Sequence, residues 1–335
     1  MGFFSRLRGE LEERPRLRSA VLGSGPLSGR LAAAYEKTPG LELVAHEPLA
    51  RAEEVIRIPG LRALELVAPV EKRGRLARDS IRAGLFTSLD APAGVAELEE
   101  LHDLSRAYQV PLRVRLMPLY YPPIRECRRL VKDDAVGDPV CLKLTVRRGR
   151  GAELPEPFEP AAWLFEHELG SLALAEWLMG PIAKVHARLA GKRDDGSTPS
   201  MVVSWKHESP HRYGYLQLDF CPGLQVRTWT EPIQRGLELT GLGGLIMVTR
   251  GEGQLLRMPA LIVRGKSTTT AFEMVPDDWR EADKTLARET VSVLTKKGRV
   301  TGSAAVALSA LRLAESIKES HRRGDEVGHD PRAGL

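Results

Sequence analysis

Residues 19–34 of this 335-residue chain read Ser-Ala-Val-Leu-Gly-Ser-Gly-Pro-Leu-Ser-Gly-Arg-Leu-Ala-Ala-Ala. A short β-prone run (Ala20, Val21, Leu22) enters Gly23-x-Gly25-x-x-Ser28, and a helix of small residues follows. Strand, tight glycine turn and helix start, in that order, make a cradle for a dinucleotide. Gly23 permits the turn, and Gly25 lets the backbone approach a pyrophosphate. Ser28 stands where a third glycine would let helix and strand pack closely. The N–H groups at the helix start would then face the phosphate charge. The loop Gly23, Ser24, Gly25, Pro26, Leu27 and Ser28 is therefore a candidate cofactor contact.

Strand and helix signals alternate from about residue 17 to 145. Strands are expected at 41–45, 63–68, 85–89 and 112–116, and helices at 27–37, 71–83, 94–108 and 123–133. Repeated β–α units predict a parallel sheet with helices on both faces, doubly wound by the right-handed crossover rule. The second half differs. One helix is expected over 161–179, ended by Gly180-Pro181, and then strands at 182–189, 201–207, 213–220, 224–229, 236–240 and 245–249. Short turns between consecutive strands predict an open, mostly antiparallel sheet with helices on one face. Helices at 279–296 and 303–322 close the chain. The fold class is thus α/β plus α+β. The expected division is an arm at 1–18, a dinucleotide-binding domain at 19–138, a substrate and oligomerisation domain at 139–322, and a loose tail at 323–335. The closing helix 303–322 is a candidate to pack back on the first domain.

Composition excludes some classes. The net charge of +5 is spread along the chain, with no basic stripe interleaved with aromatics, so no nucleic-acid role is read. No apolar run reaches the ~20 residues of a membrane span, and the N-terminus lacks the apolar core of a signal peptide. Three scattered cysteines without ligand spacing point away from zinc and towards a reducing cytoplasm.

Four stretches together resemble the Gfo/Idh/MocA family, named for glucose–fructose oxidoreductase and inositol dehydrogenase. They are Val21–Gly25 with Leu41–Ala45; Ile81–Phe86 running into Leu89-Asp90-Ala91-Pro92-Ala93; Ala175–Gly180; and Leu313–Ile317 on to Gly324. The resemblance covers nearly the whole chain. It implies an NAD(P)-dependent oxidoreductase acting on a hydroxyl- or carbonyl-bearing small molecule, sugar- or polyol-like. It also implies that Ala68 and Pro69 pack on the cofactor, and that Asp90 and Pro92 stand in the family's Glu-Lys-Pro motif. Glu47, after the second strand, would bond a ribose 2′-hydroxyl and favour NAD, while nearby Arg51 could meet the 2′-phosphate of NADP. The open sheet would serve homo-oligomerisation.

The acid/base residues that the resemblance implies are missing. Ala91 occupies the lysine position, and Gly170 and Ala173 occupy the histidine and aspartate positions. Alcohol oxidation still needs a positioned acid/base. The candidates are Glu166, His167, Tyr120 and Tyr121. Glu166, Gly170, Ala173 and Trp177 would share one helical face, with His167 about 100° away. His207, His211, Arg212 and Tyr213 cluster on a predicted hairpin, either as substrate-side residues or as a plain polar turn. A second reading is a catalytically degenerate relative that binds or scaffolds, possible with an active homologue as partner.

Overall fold

The computed structural model describes residues 16–91, 94–149, 160–190, 200–226, 233–249, 258–296 and 298–331. The chain groups into two compact units. The first comprises 1–92, 100–113 and 283–300, and the second comprises 93–99, 114–282 and 301–335.

The first half alternates as the sequence predicts. In order come β1 (Leu17–Leu22), α1 (Pro26–Glu36), β2 (Leu41–Glu47), α2 (Ala52–Ile56), β3 (Leu61–Leu66), α3 (Val70–Arg82), β4 (Phe86–Leu89), α4 (Val95–Ala107) and β5 (Leu112–Val114). The five strands form a parallel sheet in the order β2-β1-β3-β4-β5. The order reverses beside β1, and ligands of such sheets bind at the carboxyl ends of the strands at that switch point. The glycine loop leaves β1 there.

Both faces of this sheet are covered, which explains the complete burial of Ala20, Val21, Leu22, Leu64 and Leu66. It also buries charge. Arg113 on β5 and Glu65 on β3 are both fully enclosed and form an ion pair. The Arg113 guanidinium further donates to Ser88 Oγ (3.0 Å), the Leu286 carbonyl (2.9 Å) and the Tyr35 hydroxyl (3.0 Å). Tyr35 in turn bonds Glu65 and shares a 2.8 Å hydrogen bond with Thr290 Oγ1. Burial pushes the Tyr35 hydroxyl far up, so it stays protonated.

The second unit contains α5 (Pro122–Lys132), β6 (Pro139–Arg148), α6 (Pro160–His167), α7 (Leu169–Met179), β7 (Ile182–Ala190), β8 (Ser200–His207), β9 (Tyr213–Phe220), β10 (Ile233–Gly241), β11 (Gly244–Val248), β12 (Leu261–Arg264) and β13 (Thr269–Phe272). The chain continues into α8 (Trp279–Lys296), α9 (Ala304–Arg323) and β14 (Val327–Gly328). The sheet has nine strands in the order β13-β12-β11-β10-β6-β9-β8-β7-β14. The β6–β9 pair is parallel and its neighbours are antiparallel, the mostly antiparallel sheet expected. Burial alternates strictly along β8, where Met201, Val203, Trp205 and His207 are buried and Ser200, Val202, Ser204 and Lys206 are exposed. Helix α9 packs against β7 of this sheet, and α7 packs against α9 and β6.

Several elements differ from the sequence reading. Helix 161–179 is two helices, interrupted at Glu168 (φ −118°, ψ 9°). Glu168, at the break, is fully buried. The single face drawn through Glu166 and Gly170 therefore does not exist, because Glu166 belongs to α6. Strands β6, β12 and β13 lie outside the expected set, and 224–226 is not a strand. From Asp283 onward α8 groups with the first unit, whereas the closing helix α9 groups with the second. The tail is not loose as far as residue 331. Val327 and Gly328 pair with Val185 and Lys184, and the His329 N–H donates to the Ala183 carbonyl (2.8 Å). Glu326 reaches Lys184 (3.2 Å) and Lys206 (3.1 Å) beside it.

Candidate functional site

The glycine loop is shaped by its backbone. Gly23 has φ +141°, and a Cβ there would overlap the Val67 carbonyl oxygen, so only glycine fits. Gly25 has φ +95° with no atom within 4 Å of an added Cβ. That open space lies at the start of α1, where Gly25 is the N-cap and makes no side-chain capping bond. Pro26 lacks an N–H, which costs little because the first helical N–H groups have no partner within the helix. Ser24, Gly25 and Pro26 are exposed, Leu27 is half-buried and Ser28 is buried. The Ser28 hydroxyl donates to the Gly23 carbonyl (3.1 Å) and bonds His46 Nε2 (2.9 Å). The serine thus closes the turn through its side chain, where a glycine would close it by packing.

The other nucleotide-side candidates sit at neighbouring strand ends. The Glu47 carbonyl accepts the Gly23 N–H (2.9 Å), and its carboxylate pairs with Arg51 (3.1 Å). Arg51 also holds Glu54 (2.6 Å), and these carboxylates push its guanidinium further up. After β3, Ala68 is buried and Pro69 caps α3. Arg73 joins two strand-end loops, donating to the Ala68 carbonyl (3.1 and 2.9 Å) and to the Ala91 carbonyl. The charged Glu71-Lys72-Arg73 stretch therefore turns its arginine inward. Asp90 is half-buried just past β4, and Pro92 lies outside the described residues. A dinucleotide fits this loop, since backbone can approach at Gly25 and a carboxylate stands at the end of β2.

The acid/base candidates are dispersed. Glu166 and His167 are exposed neighbours 3.8 Å apart on α6, with the His167 ring against Trp163 (4.8 Å between centroids). Tyr120 is fully buried and its hydroxyl accepts the Gly302 N–H (3.1 Å). Tyr121 lines a small cavity of about 30 Å³, with Pro118, Leu144, Ser171, Leu174 and Arg235 among its walls. Trp279 packs edge-on against Tyr121 (4.5 Å, 67°). In the hairpin cluster, His211 and Tyr213 are exposed, and His207 and Arg212 bond backbone carbonyls. His207 Nδ1 bonds the Gly180 carbonyl (2.8 Å), and Arg212 donates to the Met179 carbonyl (3.0 Å). Burial pushes the His207 imidazole below its ordinary value.

The sequence reading missed a polar group at the cavity. Glu168, fully buried, forms an ion pair with Arg235. Ser171 donates to Glu168 Oε2 (2.7 Å) and accepts from Arg235 Nη1 (3.0 Å). The position aligned with the missing histidine is closed. A Cβ at Gly170 would lie 2.5 Å from Pro118 Cδ. Among the described residues, no group of three His, Cys, Asp or Glu could hold a metal ion. No described helix is long and apolar enough to cross a membrane.

No protein-family model and no curated protein matches the chain. Solved structures do match. An oxidoreductase from Agrobacterium radiobacter, in complex with NAD+, L-tartaric acid and magnesium, superposes with TM-score 0.80 at 16% identity, over 96% of this chain and 100% of that one. The chain shares this fold. Levoglucosan dehydrogenase, in complex with NADH and L-sorbose, matches at TM-score 0.77 and 13% identity, over 95% of this chain and 100% of that one. A probable dehydrogenase from Thermotoga maritima matches at TM-score 0.74 and 14% identity, over 93% and 98%.

Proposed function

We propose that the chain is a nicotinamide-dependent oxidoreductase acting on a hydroxyl- or carbonyl-bearing small molecule. The observation that carries this reading is the glycine loop. Gly23 admits no side chain, and Gly25 leaves open space at the N-terminus of α1. An oxidoreductase crystallised with NAD+ and a dehydrogenase crystallised with NADH share the fold, which supports the same cofactor class. Gly23, Ser24, Gly25 and Leu27 would meet the diphosphate, Glu47 the ribose, and Ala68, Pro69, Asp90 and Pro92 the strand-end side. Glu47 favours NAD, because a 2′-phosphate would meet its carboxylate. When bound, a nicotinamide supplies or accepts hydride at the carbon bearing the oxygen. The protein's share is the oxygen and its proton. Tyr121 is the proposed acid in the reducing direction, donating its phenolic proton to the substrate oxygen. Arg235 stabilises negative charge growing on that oxygen, in a low-dielectric wall where such stabilisation is strong. Glu168 and Ser171 position Arg235. Glu166, His167 and Tyr120 have no share in this scheme.

The filled position at Gly170 and the alanine at 91 favour a second reading, a member of this fold that binds a nucleotide or a partner without turnover. In either reading, the exposed row of β8 and β9, with Val202 (44% exposed) and Tyr213 (50% exposed), is the proposed homo-oligomer surface. Thermal unfolding with NAD+, NADH, NADP+ and NADPH tests the cofactor. A nucleotide at 100 times its dissociation constant adds about 2.7 kcal/mol. A shift with one pair supports the proposal and names the cofactor. No shift with any of the four refutes it.

A further inference from the structure

Both kinds of group that judge a ribose 2′-phosphate follow the second strand of the first unit. A carboxylate there bonds the ribose hydroxyl and repels the extra phosphate of NADP, whereas a nearby arginine receives it. This chain has both, Glu47 at the end of β2 and Arg51 one helical turn on. Residue type alone therefore leaves the choice open, and the hydrogen bonds of Arg51 close it. Its Nε and Nη2 both donate to Glu54 Oε2, at 3.0 and 2.6 Å. Its Nη1 lies 3.1 Å from Glu47 Oε1. A guanidinium holds phosphate best through two parallel N–H bonds from one edge. Glu54 on α2 occupies the Nε–Nη2 edge, and Glu47 draws on the remaining Nη1. A single positive charge between two carboxylates leaves the trio net negative, so an incoming 2′-phosphate meets repulsion before it meets a donor. For the ribose of NAD the same arrangement is favourable. Arg51 steadies the Glu47 carboxylate through one oxygen and leaves the other for a hydroxyl.

We propose that Glu54 is a specificity-determining residue, a positioning group that withholds Arg51 from a 2′-phosphate and so makes the site select NAD over NADP. The inference rests on the oxidoreductase reading, which places the nucleotide at the glycine loop. Glu54 acts through Arg51 and need not touch the nucleotide. With side chains 53% and 65% exposed, Arg51 and Glu54 form a pair that contributes little to folding, so its removal leaves the fold intact.

The test is isothermal titration of the full chain with NAD+ and with NADP+ at low salt, read as the ratio of the two dissociation constants. The unaltered chain is expected to bind NAD+ at least about tenfold more tightly, the scale of one hydrogen bond to a charged group. Glu54→Ala is expected to narrow that ratio about tenfold, chiefly through tighter NADP+ binding. Added salt should shrink the gain, because the charges are exposed. Placing Arg51→Gln in the Glu54→Ala background is expected to cancel the gain, since the released guanidinium is what receives the phosphate. A gain that persists in the double variant would come from lost repulsion alone and overturns the proposal. An unchanged ratio in Glu54→Ala overturns it as well, as does a preference of the unaltered chain for NADP+. In each of these outcomes a nucleotide binds, and the oxidoreductase reading stands. Absence of binding by either nucleotide refutes that reading, and this inference falls with it.

Discussion

Replacing Arg113 by methionine tests the charged interior of the first unit. The change removes the partner of Glu65 together with hydrogen bonds to Tyr35 (3.0 Å), Ser88 (3.0 Å) and the Leu286 carbonyl (2.9 Å). Breaking a buried pair from one side typically costs about 3–5 kcal/mol, because the remaining charge is stranded. Tyr35 keeps its bond to Thr290, so the phenol is not orphaned and adds little. Glu65→Leu alone is expected to cost less, because Arg113 retains a second carboxylate, Glu289, at 3.5 Å. The double variant Glu65→Leu, Arg113→Met removes both charges and leaves apolar groups of similar reach. It is expected to be more stable than Arg113→Met by about 2 kcal/mol, so the coupling energy exceeds that figure by the cost of Glu65→Leu. Urea unfolding followed by far-UV circular dichroism measures all four members of the cycle. Tryptophan fluorescence is less suited, because the described tryptophans, Trp163, Trp177, Trp205 and Trp279, all belong to the other unit. If the double variant costs the sum of the singles, the two charges are uncoupled and the reasoning fails.

Gly23→Ala is expected to abolish any nucleotide-induced thermal shift and to destabilise the first unit, since a methyl would strike the Val67 carbonyl; a retained shift would remove the loop from the site. Gly170→Ala should cost roughly 1–3 kcal/mol by overpacking against the Pro118 ring, read from the urea midpoint, and Gly170→His should cost more without creating activity. Burial alone would raise the Glu176 carboxyl, but the nearby His329 imidazole (3.8 Å) and hydrogen bonds from the Ile182 N–H (3.0 Å) and Ser309 outweigh it and hold the group below its usual range. Its contribution is therefore full above the ordinary carboxylate value and lost as pH falls through the lowered one, so Glu176→Gln should flatten the acid side of a melting-temperature profile. Burial pushes the Cys127 thiol up to about 12, so native protein should resist alkylation there at pH 8 and react only on unfolding, as mass spectrometry of the modified peptide would report.

The alternating half was legible because its signals are local. The glycine turn at residues 23–25, the apolar strands and the leucine spacing of 94–108 each carry their own period. Helix 279–296 was read to its ends for the same reason. Charge burial was not legible. Leu112-Arg113-Val114-Arg115-Leu116 reads as a half-exposed strand, yet Arg113 is 0% and Arg115 6% exposed. A parallel strand covered on both faces leaves no solvent side. The available signal was the single acid, Glu65, in the third strand's apolar run. Glu168 was hidden similarly. In Glu166-His167-Glu168 three polar neighbours suggest a wet helical turn, while the partner that draws only the third one inward, Arg235, lies 67 positions away. Tyr120 and Tyr121 are adjacent and alike, and which one meets a cavity depends on the turn at Met117–Tyr120, a geometry that neither residue type encodes.

Helix α8 gives the first unit an unusual timetable. Tyr35 and Thr290, joined at 2.8 Å, stand 255 positions apart, and Arg113 reaches the Leu286 carbonyl across 173. The first unit's sheet must therefore wait for α8 to be made before its charged interior is complete. Such distance costs little at equilibrium, since each doubling of a loop adds only about 0.6 kcal/mol. In time it costs more, because contacts of long separation form slowly. A nascent chain stopped before residue 283 would hold Arg113 and Glu65 without α8 beside them. The half of the molecule that looks most autonomous in sequence is thus the half that waits for a helix made much later.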